Sequence, residues 1–233
     1  MKFKIFIYTT LSKFFHIFFN KNYIKKVFEL LYWKSIKLKE KEFSNDHYEY
    51  FYTDFFNIKK EFYNNKKIID IGCGPRGSLE WANKAKKRIG IDTLANKYKK
   101  IQNKNCSMDY FNAFSEDIPF DNNYFDVVTS FNSLNHVDDV GKTLTEIYRI
   151  LKPDGIFLLI TDIFDTPTIC EPSAFGWEIS KSLCAKFNKQ FEKHFEGNKM
   201  YTSIRNGVEF DHKNNKKRNG ILAGKYLKIN DNI

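Results

Sequence analysis

The chain has 233 residues and a mass of 27.7 kDa, enough for one large α/β domain or a domain with an added subdomain and too little for two full-sized ones. Apolar residues at 42% and charged residues at 28% exclude a disordered, fibrous or collagen-like chain. The formal charge of +10 is uneven: residues 1–67 carry 14 basic and 7 acidic groups, 68–104 carry 9 and 3, 105–175 carry 3 and 12, and 176–233 carry 12 and 6. The acidic third interrupts any continuous track for nucleic acid.

In chain order, the apolar positions Phe3, Phe6, Ile7, Leu11, Phe14, Phe15, Phe18 and Phe19 keep helical spacing. Lys13 and His16 interrupt the run, no small-residue cleavage site follows, and it falls short of a membrane span. An amphipathic helix is predicted, packed on the protein body or resting on a membrane surface. A second periodic stretch holds Ile24, Val27, Phe28 and Leu31, and a third, aromatic one runs from Tyr48 to Phe62. Residues 1–64 contain no Gly and no Pro and read as an N-terminal helical extension or lid, distinct from 65–233.

At Lys66 the pattern changes to KKIIDIGCGPRG, a buried strand feeding a Gly-rich turn, with a helix predicted over 78–85. Strand-like RIGID (88–92), CSMDYF (106–111), YFDVVTSF (124–131) and DGIFLLITDIF (154–164) follow, separated by helix-compatible 94–101 and 137–151. A further helix is predicted around 177–195, and the tail (GVEF, HKNNKKRN, GILAGKYLKI) reads as an antiparallel hairpin. Alternating strands and helices predict an α/β, Rossmann-like, doubly wound sheet, mostly parallel, with a C-terminal antiparallel hairpin.

Two elements carry chemistry. In Asp70-Ile71-Gly72-Cys73-Gly74-Pro75-Arg76-Gly77, Gly72 and Gly74 permit a tight turn that lets backbone approach a ligand, and a helix starting near Gly77 would point its positive end at that ligand. Asp92 closes the next strand 22 residues after Asp70, where a carboxylate accepts hydrogen bonds from the ribose hydroxyls of a nucleoside.

The chain continues with SEDIPF (115–120), YFDVV (124–128) and RILKPDG (149–155). In that order these resemble the class I S-adenosylmethionine-dependent methyltransferases, and more narrowly the small-molecule group whose chains read EDLPF, FD-V and R-LKPGG. The resemblance covers about residues 66–162. It implies S-adenosyl-L-methionine as cofactor. The turn of Gly72, Cys73 and Gly74, with Asp70, would hold the methionine end, Asp92 the ribose, and the Glu116 backbone with Asp117 the adenine edge, with Ser130 beside them. Asp154 stands where the family has a glycine.

The loop after the fourth strand, TSFNSLNH (129–136), is neither the Asn/Asp-Pro-Pro-aromatic motif of exocyclic amine methyltransferases nor a Pro-Cys nucleophile, which argues against base methylation. His136 and Asp162 are candidate bases and Asn132 a candidate acceptor-orienting residue. Glu171 and Trp177 border the expected acceptor side. Four cysteines without CxxC spacing fit a reduced cytoplasm. The expected activity is methyl transfer to an O or N atom of a small polar metabolite, such as a sugar or surface-glycan precursor. A non-catalytic cofactor-binding protein, an RNA methyltransferase and a nicotinamide oxidoreductase are the competing readings.

Overall fold

The computed structural model describes residues 21–229 apart from 198, 215 and 217, so the amphipathic segment expected over 3–19 lies outside the described residues. Helix α1 spans Lys21–Glu40; α2 spans Tyr48–Tyr52, followed by two 3-10 turns, Asp54–Phe56 and Lys60–Tyr63. Then come β1 (Lys67–Ile71), β2 (Lys87–Ile91), α3 (Ala95–Tyr98), β3 (Asp109–Phe111), β4 (Phe125–Phe131), α4 (Val140–Ile150), β5 (Leu151–Ile163), α5 (Ile179–Cys184), β6 (Phe187–Glu196), α6 (Met200–Asn206) and β7 (Gly220–Lys228). The seven strands form one sheet in the order β3-β2-β1-β4-β5-β7-β6. The pairs from β3 through β5 are parallel, and β7 runs antiparallel to both neighbours. This is the expected α/β Rossmann-like architecture with an antiparallel end and an N-terminal helix.

Strands buried on both sides explain the continuous β-branched runs. Alternate residues of β1 enter different cores. Ile68 lies with Val127, Leu158 and Ile160, whereas Ile69 and Ile71 lie with Val128, Leu144, Ile147 and Leu159. Helix α4 covers the second face, its start capped by Asp139, whose carboxylate accepts from the Lys142 N–H. The first face is covered by the aromatic segment: Phe51, Tyr52, Phe56 and Tyr63 are almost wholly buried. These rings do the work of a covering helix layer.

Three local expectations fail. Residues 78–85 form turns, not a helix; Glu80 is drawn out to accept from the backbone N–H groups of Ser107 (2.9 Å) and Met108 (2.7 Å) and from the Ser107 hydroxyl (2.8 Å). Only α5 remains of the helix expected over 177–195, because Phe187, Phe191 and Phe195 repeat every fourth residue, a spacing that serves a strand as well as a helix. The antiparallel pair is therefore β6 with β7, and GVEF contributes only a bridge between Glu209 and Phe195 on the far side of β6.

Candidate functional site

The site gathers at the carboxyl ends of β1, β2, β4 and β5, where an open parallel sheet leaves a crevice at its switch in strand order. Gly72 and Gly74 have φ of 69° and 58°, left-handed values that glycine adopts without strain. The N–H groups of Gly72 and Cys73 both donate to the Ile91 carbonyl, at 2.9 and 3.3 Å, folding the turn toward β2. A side chain at Gly72 would overlap Ser133, whose hydroxyl donates to the Ile71 carbonyl.

Asp70 lies under this turn. Its carboxylate accepts from Thr129 Oγ1 (2.6 Å), Tyr52 OH (3.2 Å) and Ser78 Oγ. Burial pushes its pKa up to about 6, against the pull of those three donors. Asp70 thus ties the turn to β4 and to the aromatic cover. Cys73 is buried, and burial together with the nearby Asp92 and Asp70 holds its thiol well above the usual range, so it is neutral.

Asp92 stands at the end of β2, its Oδ1 accepting from the Leu94 N–H at 2.8 Å. Burial raises its pKa to about 6, and Glu29 adds to the rise. Glu29 belongs to α1, which crosses above the turn. Its carboxylate accepts from Trp33 Nε1 at 2.8 Å, and burial raises its own pKa. Trp33 rests on Gly74, its Cζ2 3.2 Å from where a Cβ would stand. Lys25 donates to the His136 carbonyl and lies 3.6 Å from Asp138, while Arg76 makes a two-pronged pair with Glu40, both contacts 2.7 Å. Helix α1 is strapped across the crevice at both ends. Arg76, a loop arginine by sequence, is one of the fastenings.

Asp117 is exposed, bridged to Phe114, whose carbonyl accepts from its N–H at 3.3 Å. The Glu116 carboxylate turns instead to the start of α4, accepting from the N–H groups of Asp138 (2.8 Å) and Asp139 (3.1 Å). Ser130 is fully buried with its hydroxyl 2.7 Å from that of Ser133, the residue that lies against Gly72.

On the acceptor side, Asp162 at the end of β5 has its pKa raised to about 6 by burial and then by Glu171. Burial lowers that of His136, against the pull of the same Glu171, which keeps the imidazole neutral at pH 7. These two candidate bases and Glu171 therefore converge. Asn132, exposed and held at φ 55°, is near in sequence, but its neighbour Asn135 does the structural work: it donates to the carbonyls of Asp162 (3.1 Å) and Ser173 (3.2 Å) and accepts from Thr161 (2.6 Å). Trp177 packs away from this group, stacked on His194 at 4.1 Å.

The donors and charges fit a nucleoside carrying positive charge. Asp70, Asp92 and Glu29 surround the turn, no helix begins behind it, and the one arginine of the turn is paired with Glu40. A dinucleotide pyrophosphate requires the opposite, a helix N-terminus aimed at its phosphates. Residues 69–159 match the methyltransferase domain family. Over that stretch the chain is similar to class I S-adenosylmethionine-dependent methyltransferases. S-adenosylmethionine is the cofactor of that family, and Gly72, Gly74 and Asp92 present a cradle and a carboxylate that fit it.

Beyond the domain, 30% identity over 151 residues links the chain to the Methanocaldococcus jannaschii Uncharacterized protein MJ1252, covering 64% of this chain and 58% of that one. Identity is 34% over 109 residues with the ubiquinone/menaquinone biosynthesis C-methyltransferase of Rickettsia typhi, 41% of this chain and 44% of the other. The chain thus spans about half the length of the curated relatives it matches. The fold is shared with geranyl diphosphate C-methyltransferase of Streptomyces coelicolor, solved with S-adenosyl-L-homocysteine, at TM-score 0.53 and 14% identity over 73% of this chain and 77% of that one.

Sequence reasoning missed Glu29, Trp33 and Thr129. The helical periodicity of α1 was visible, but what its inner face covers is not encoded in that periodicity.

Proposed function

We propose that the protein transfers the methyl group of S-adenosylmethionine to an O or N atom of a small polar acceptor held beside Asp162, His136 and Glu171. The observation that supports this reading is that the loop after β4 reaches both sides: Ser133 lies against Gly72, and Asn135, the residue before His136, donates to the Asp162 carbonyl at 3.1 Å. The bound sulfonium supplies an activated methyl group. The chain's task is to align acceptor and methyl carbon and to exclude water, which can be worth roughly 7–11 kcal/mol. Asp162, ionised above about pH 6, takes the acceptor's proton. The extension or lid expected over 1–64, ahead of the domain of 65–233, contains α1, which crosses the turn at Gly74. Four free cysteines fit work in a reducing cytoplasm, and no described helix is long and apolar enough to cross a membrane.

Calorimetric titration with S-adenosylmethionine, S-adenosylhomocysteine and NAD tests the cofactor, and labelled-methyl transfer to acceptor panels tests the reaction. Micromolar binding of the first two without NAD supports the reading; binding of none by folded protein sinks it. Because two relatives are named as C-methyltransferases, a carbon acceptor is the second reading, decided by the position of the labelled methyl in the product.

Asp162→Asn is expected to lower kcat by about 10²- to 10⁴-fold with little change in cofactor affinity. In the unaltered protein the rate should fall as pH drops through about 6, as the carboxylate takes up a proton, and this limb should vanish in the variant. A pH–rate profile retained by Asp162→Asn would move the base elsewhere, with His136 next in line.

A further inference from the structure

Helix α1 has a second face. While Glu29 and Trp33 point to the turn, Val27, Leu31 and Leu38 are 37, 54 and 84% exposed. At 100° per residue these three fall on one stripe, and exposed Lys34 stands beside it. Exposed Lys39 and Lys41 stand at its end. Residues 1–41 hold ten lysines against two glutamates, a surplus of eight positive charges, and neither glutamate offsets the stripe: Glu29 is bonded to Trp33 and Glu40 to Arg76. The sequence leading into Lys21 continues the theme, with eight apolar positions at helical spacing from Phe3 to Phe19 and lysines at 2, 4 and 13.

We propose that the outward face of α1 docks on an anionic lipid surface. Apolar side chains on one line enter the boundary between headgroups and acyl chains, and lysines beside them meet the lipid phosphates. Charge selects this occupant over a second copy, since pairing two such faces would bring two surpluses of eight together with Lys34 of each in the seam. The apolar stripe equally distinguishes it from a nucleic-acid track, which needs cations without exposed leucines. The inference stands whether or not the acceptor proposed above is correct.

The test is flotation of the full chain with vesicles of phosphatidylcholine alone and of phosphatidylcholine mixed equally with phosphatidylglycerol. Each lysine near the headgroups should multiply the affinity about fivefold, so anionic vesicles should bind the chain at least tenfold more tightly, and added salt should weaken the binding. The double variant Leu31→Glu, Leu38→Glu should lose at least about tenfold in affinity, with an unchanged melting temperature because both side chains are exposed. Equal binding to both vesicles, no binding, or an unaffected double variant overturns the proposal. So does sedimentation showing a dimer that the double variant converts to monomer, which would assign the stripe to a second copy.

Discussion

Asp92→Ala is expected to weaken S-adenosylhomocysteine binding at least a hundredfold in calorimetric titration, with the fold intact. A hydrogen bond to a charged group is worth about 1.5–3 kcal/mol, and a carboxylate holding both ribose hydroxyls makes two, so the loss spans about 10²- to 10⁴-fold. Asp92 is placed for this role: it follows β2, faces the Gly74 backbone N–H of the turn, and accepts from the Leu94 N–H at 2.8 Å. The hydroxyls require the ionised form, whereas burial and the neighbouring Glu29 favour the protonated one up to about pH 6. Affinity should therefore be flat above that value and fall about tenfold per pH unit below it. An Asp92→Ala protein that binds within threefold of the unaltered one would remove Asp92 from the site.

Asp70→Ala is the change expected to cost most stability. It leaves the hydroxyls of Tyr52, Ser78 and Thr129 without their acceptor, all in residues 3% exposed or less. An orphaned buried polar group costs about 1–3 kcal/mol, and the partial relief from removing a buried charge leaves a net loss of about 3–5 kcal/mol. For a chain of this size that is about a 10 °C fall in melting temperature. Asp70→Asn keeps an acceptor oxygen and should lose less. A sign follows for pH: Asp70 binds its proton more tightly folded, at about 6, than at its ordinary value, so its contribution to stability is full below about 4 and shrinks as pH rises to 6. The Asn variant should lack that slope. A melting temperature within a degree of the unaltered protein for Asp70→Ala would show the network to be dispensable.

The strand–turn unit around Gly72 was legible because a β-branched run, an acid and spaced glycines each demand the same local geometry. The position of Asp92 just past the end of β2 was legible from the RIGID run before it. The turn at Asp154 was legible too: it holds φ 59° where the family places glycine, so the backbone persists although the residue differs. What stayed hidden depended on long-range partners. Glu80 leaves a helical pattern for Ser107 and Met108, Phe187 to Phe195 become a strand because β7 needs a second neighbour, and Asp70 becomes an organiser only when Tyr52 and Thr129 arrive from 18 and 59 residues away. Tyr48, Phe51, Tyr52, Phe56 and Tyr63, inside the segment read from the sequence as an extension or lid, are core on one face of the sheet, and α1 holds the place above the turn.

Because one continuous helix carries Trp33 on its inner side and Leu31 on its outer side, occupancy on the two sides is joined by a single thermodynamic cycle. Whatever factor a lipid surface imposes on the cofactor's dissociation constant, the cofactor must impose on partition to that surface, in the same direction and size. Measuring vesicle binding with and without S-adenosylhomocysteine then reports, from outside the molecule, how much Trp33 must yield for Gly74 to be reached.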